Sequence, residues 1–64
     1  MLKIKFTIRH WATDWIEATA ETTFVDGATH KSIQEVGDKF FYKWAEEEGK
    51  DPKDYYVDYD VIRI

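Results

Sequence analysis

A chain of 64 residues with no Cys and a net charge of −4 reads as one domain, residues 1–64, near the lower size limit for folding alone. The lack of Cys excludes disulfides and thiolate metal sites, and thirteen acids against nine Lys and Arg argue against general nucleic-acid binding, which needs concentrated positive charge. No run approaches the roughly 20 apolar residues of a membrane span, and Lys3 and Lys5 interrupt the first apolar positions, so no membrane partner and no leader are expected and a cytoplasmic location is the default.

The first predicted element is a strand from Leu2 to Arg9 or His10. Leu2, Ile4, Phe6 and Ile8 alternate with Lys3, Lys5, Thr7 and Arg9, which puts the apolar set on one sheet face and a basic set on the other. The stretch Trp11-Ala12-Thr13-Asp14-Trp15 breaks the alternation and holds the hairpin turn. It lacks Asn-Gly or Asp-Gly, so a longer loop or a bulge is expected rather than a tight primed turn. A second strand follows from about Trp15 to Phe24, with Ile16, Ala18, Ala20 and Phe24 on one face and Glu17, Thr19, Glu21 and Thr23 on the other. The small Ala18 and Ala20 predict a bulky element, the helix, packed over them.

Asp26-Gly27 ends the hairpin. A helix is predicted from Thr29–Lys31 to Glu48, capped by Thr29 or by Ser32, whose Ser32-Ile33-Gln34-Glu35 fits a reciprocal capping box. Ile33, Val36, Gly37, Phe40 and Trp44 form its apolar stripe, with Phe41 at the boundary and Tyr42 outward. Gly37 costs about 1 kcal/mol relative to Ala inside a helix, which predicts close helix–sheet approach there. Gly49 is placed to end the helix in a left-handed conformation, and Pro52 blocks continuation. The last strand runs from Asp54 to about Ile64. Tyr55, Val57, Tyr59 and Val61 share one phase, Tyr56, Asp58 and Asp60 the other; a bulge near Asp60-Val61 would bring Ile62 and Ile64 inward, and without one they lie on the open face, where a partner could cover them.

These elements predict an α+β fold, β-β-α-β. A hairpin and a right-handed crossover through the helix give a three-stranded antiparallel sheet in order 2-1-3 with the helix on one face. Charge supports the order. Lys3, Lys5 and Arg9 on the central strand would lie between Glu17 and Glu21 on one side and Asp58 and Asp60 on the other. The predicted core is Ile4, Phe6, Ile8, Ala18, Phe24, Ile33, Phe40, Trp44 and Val57.

Little is left over for catalysis. His10 and His30 lack the converging ligands of a metal site and the adjacent nucleophile of a hydrolase, and no phosphate loop or cofactor motif is present. No enzyme, metal or cofactor is therefore expected. The candidate binding residues are Trp11 and Trp15 at the hairpin turn, Tyr56 on the open sheet face, and the acids Glu46, Glu47, Glu48, Asp58 and Asp60. Trp is enriched at binding hot spots. Three consecutive Glu oppose the dipole at a helix C-terminus, which suggests a purpose other than stability. A Tyr- and acid-rich surface of this type resembles that of proteins that mimic the DNA backbone. Compact acidic aromatic-rich chains of this length also resemble phage- or mobile-element-encoded accessory proteins, including inhibitors. The expected function is thus a non-enzymatic module that binds a basic protein surface. The alternatives are a homodimer or larger assembly through free sheet edges, and a small nucleic-acid binder using Lys3, Lys5, Arg9 and the Trp pair.

Overall fold

The computed structural model describes residues 1–63. It contains strands β1 (Leu2–His10) and β2 (Ile16–Phe24), helix α1 (His30–Glu48), a 3-10 turn (Pro52–Asp54) and strand β3 (Tyr55–Arg63). The sheet is antiparallel throughout, in order β2-β1-β3, with α1 on one face. The basic strand is central, as its flanking charges require. Thr7, at the middle of the open face, is only 5 % exposed although no element of the described residues covers that face, because a central-strand residue has neighbours on both sides.

The ends of α1 follow from side-chain capping, with one correction. Thr29 is the N-cap: its Oγ1 accepts from Ser32 N at 3.1 Å, and Ser32 Oγ accepts from Thr29 N at 3.1 Å. The predicted Ser32–Glu35 box is not the one used, because the chain is already helical from His30 and Ser32 itself supplies the reciprocal acceptor. Gly49 ends the helix at φ 66°, and its N–H reaches back to the Ala45 and Glu46 carbonyls.

Packing centres on Phe6. Its ring is 2 % exposed and lies 6.3 Å from Phe24, 6.4 Å from Phe40 and 6.3 Å from Tyr59, centroid to centroid. A Cβ added to Gly37 would stand 2.8 Å from Phe6 Cε1, so the missing side chain is what lets the helix reach the sheet. The buried row on α1 is therefore Ile33, Gly37, Phe41 and Ala45. This corrects the predicted stripe. Val36 is exposed, Phe40 and Trp44 are half-buried, and Phe41 is interior, because the row through Gly37 makes the closest contact.

Two further expectations on packing are revised. The helix backbone lies closer to β3 than to β2. Ala18 and Ala20, half-buried, are instead the register partners of Ile8 and Phe6, where small residues leave room for large ones on the neighbouring strand. Ile16 is not in their phase. A bulge opposite Ile8/Arg9 shifts it onto the partner position of Arg9, on the open face, and it is 54 % exposed. The second bulge falls opposite Lys3/Ile4, where Val61 and Arg63 are successive partners. It leaves Ile62 exposed rather than inward, and Ile64 lies outside the described residues.

Candidate aromatic binding site

The site is built on the β1–β2 loop. Asp14 adopts φ 59°, a left-handed conformation that Asp tolerates better than most side chains, and this closes the loop without Gly. Backbone bonds hold it: Asp14 N donates to His10 O at 2.8 Å and His10 N donates to Trp15 O at 3.0 Å. Side chains add to these. Ala12 N donates to His10 Nδ1 at 3.0 Å, and Trp15 N donates to Thr13 Oγ1 at 3.3 Å.

Asp14 then ties the loop to β3. The Tyr56 hydroxyl donates to Asp14 Oδ1 at 2.5 Å, Arg9 Nη1 stands 3.8 Å from Asp14 Oδ2, and Trp11 N donates to Asp54 O at 2.9 Å. Tyr56 so held supports Trp11, whose ring centroid is 4.3 Å from its own at a 34° tilt. Trp11 remains 64 % exposed. The result is an aromatic platform fixed from below by a carboxylate. The sequence pointed to Trp11 and Tyr56 separately and to Arg9 only as part of a nucleic-acid alternative; it did not point to Asp14, which binds Tyr56 and lies beside Arg9. The one signal in the sequence was an Asp, rather than a Gly, in a loop that must turn.

The arrangement has a signature in titration. The hydrogen bond to Asp14, with some burial and the nearby carboxylate charge, raises the Tyr56 phenol above 10.0. Because the folded value is the higher one, the interaction is fully present below the unfolded tyrosine range and is lost as pH rises through the folded value. Absorbance titration at alkaline pH is expected to show a late-ionising tyrosine fraction that disappears in Asp14→Asn and in Tyr56→Phe. A wild-type curve unchanged by either substitution would contradict the bond.

Trp15, 70 % exposed, lies across the hairpin from His10 and next to the outward Ile16. The acids fall into two groups. Glu46, Glu47 and Glu48 are exposed at the C-terminal end of α1. That end reaches the hairpin pole through Trp44, 5.2 Å from Tyr55, and Tyr55, 4.9 Å from His10. Asp58 and Asp60 are on the open sheet face, opposite Thr7 and Lys5. The ion pairs across the sheet are fewer than charge alone predicted: among the described residues Lys3 pairs with Glu21 at 3.2 Å, while Arg9 turns to Asp14. Among the described residues no three His, Cys, Asp or Glu converge as metal ligands, and no helix is long and apolar enough to cross a membrane. Comparison with protein-family models, curated proteins and solved structures finds no match.

Proposed function

We propose that this protein is a non-enzymatic binding module that occludes a basic surface of a protein partner, in the manner of a small inhibitory or accessory protein of the phage or mobile-element type. The observation that supports it is the Trp11–Tyr56 platform. A Trp held by stacking, with its support bonded to Asp14, has little freedom left to lose on binding, and large aromatics dominate interface energetics. Glu46, Glu47 and Glu48 at the same pole, with Asp58 and Asp60 on the adjoining sheet face, would steer a positively charged partner.

Measured against a partner captured from source cells, Trp11→Ala is expected to raise the off-rate by a factor corresponding to about 2 kcal/mol or more. Changing the Glu triplet to Gln is expected to leave the fold intact, lower the on-rate and weaken its dependence on salt, since exposed charges are screened beyond about 8–10 Å. Binding that ignores both the platform and salt would refute the proposal. Tight binding to bare DNA or RNA, lost on changing Lys3, Lys5 and Arg9, would establish the nucleic-acid alternative instead.

A second reading has its own observation. β2 is an edge strand whose middle residue is Ala20. A two-fold axis there would set Thr19 opposite Glu21 and Thr23 near Glu17 of a second copy, so no acid meets an acid. The exposed Trp15 and Ile16 would lie alongside Phe24 and Val25 of the other chain. A homodimer through β2 would leave Trp11 free. Sedimentation over a wide concentration range tests it, and a strict monomer, or a dimer untouched by Ile16→Lys, would remove it.

A further inference from the structure

The edge opposite β2 carries a different kind of site. A groove of about 430 Å³ lies between α1 and β3, floored by Phe6 and Gly37, walled by His30 and Gln34 on the helix side, and bounded on the other side by β3 from Val57 to Val61, Asp58 and Asp60 included. Its lining includes no β2 residue, so it belongs to the β3 side of the sheet. Tyr59 is fixed in it by a hydrogen bond between its hydroxyl and His30 Nδ1. β3 is the outermost strand on that side, and its backbone presents polar groups that no strand of the described chain pairs. Asp58 and Asp60, both exposed, are in register with the open face of the same strand. One edge thus offers a groove with an aromatic and aliphatic floor and a partly polar rim on the helix face, and two exposed carboxylates at alternate positions in register with the open face.

That combination specifies a ligand. A strand added to β3 places successive side chains on opposite faces. Its inward residues would enter the groove beside Val57 and Tyr59, and its outward residues would face Asp58 and Asp60. Main-chain hydrogen bonds would supply affinity, and the alternate positions selectivity. We infer that β3 binds an extended peptide segment in which apolar residues alternate with Lys or Arg, adding it as a fourth strand. Symmetric pairing with the same strand of a second copy is disfavoured. Antiparallel pairing of β3 with itself about its middle residue, Tyr59, sets Asp58 of each copy against Asp60 of the other, and like charges directly opposite are destabilising. The inference rests on the proposed preference for a basic partner and adds where and in what conformation the partner is held.

The probe is a capped synthetic peptide of alternating Lys and Val, about eight residues long to match a strand. A peptide of the same composition with the Lys and Val in separate blocks is its control. Titration followed by backbone amide shifts is expected to perturb β3 and the Gly37 amide while sparing β2. The alternating peptide is expected to bind about tenfold or more tighter than the blocked one, because only alternation matches both faces. The double substitution Asp58→Lys with Asp60→Lys is expected to abolish binding, with the folded state verified by unchanged amide dispersion. Trp11→Ala is expected to leave peptide binding intact, which separates this inference from the platform reading: loss of partner binding in Trp11→Ala concerns the platform, and loss of peptide binding in the Asp variant concerns the edge. Equal binding of alternating and blocked peptides, shifts confined to β2 or to the hairpin loop, or binding retained in the Asp double variant would each overturn the assignment.

Discussion

Phe6→Ala is expected to unfold the protein. The ring is 2 % exposed and is the meeting point of Phe24, Phe40, Tyr59 and the backbone of α1 at Gly37. Truncating a buried Phe to Ala costs about 3–5 kcal/mol, through lost transfer energy and the cavity left behind. A core of this size supplies only about 3–5 kcal/mol of net stability, so the whole margin is consumed. Urea denaturation followed by Trp fluorescence and far-ultraviolet dichroism checks it. A cooperative transition at the wild-type midpoint would mean that the helix does not pack on this ring. Phe40→Ala, by contrast, is expected to cost less than Phe6→Ala, because Phe40 is half-buried at the side of the cluster rather than at its centre.

Gly37→Ala is expected to destabilise the fold, against the direction of helix propensity. In an exposed helix interior the change would gain about 1 kcal/mol. Here the new methyl would stand 2.8 Å from Phe6 Cε1 and 2.9 Å from Phe6 Cδ1. The ring is in contact with Phe24, Phe40 and Tyr59, so moving it off Gly37 disturbs those three contacts, and overpacking a core costs about 1–3 kcal/mol. The net expectation is a loss of up to about 2 kcal/mol, the difference of those two effects. The mechanism has a sharper test in a double-mutant cycle. Phe6→Leu shortens the obstructing side chain, so Gly37→Ala should cost less in that background, with a coupling of about 0.5–3 kcal/mol. Additive costs, or stabilisation by Gly37→Ala alone, would show that the close approach is absent.

These two residues also mark how far the sequence reached. Strict alternation in Leu2–Arg9, the helical spacing between Asp26-Gly27 and Gly49, and renewed alternation after Pro52 are local signals, and each element formed where they pointed. Strand order followed as well, because the charges of Lys3, Lys5 and Arg9 and the antiparallel connections both favoured a central first strand. The presence of Gly37 on a helix face announced close contact without needing coordinates. Trp11, Trp15 and Tyr56 stood out individually, since a chain this short has little interior in which to bury rings beyond its core set.

What periodicity could not carry is anything that depends on a shift of one residue. The bulge at Glu17 moves Ile16 from the helix face to the open face, and no residue type in that stretch announces it. The choice between Phe40 and Phe41 for the interior is a matter of helix rotation by one position, set when Gly37 seats against Phe6. Likewise the link from Asp14 to Tyr56 joins positions far apart in the chain and exists only after β3 has paired with β1. The groove beside β3 arises for a related reason. Helix α1 sits nearer β3 than β2, and that offset depends on how residues of three strands and the helix pack together, which a linear pattern does not contain.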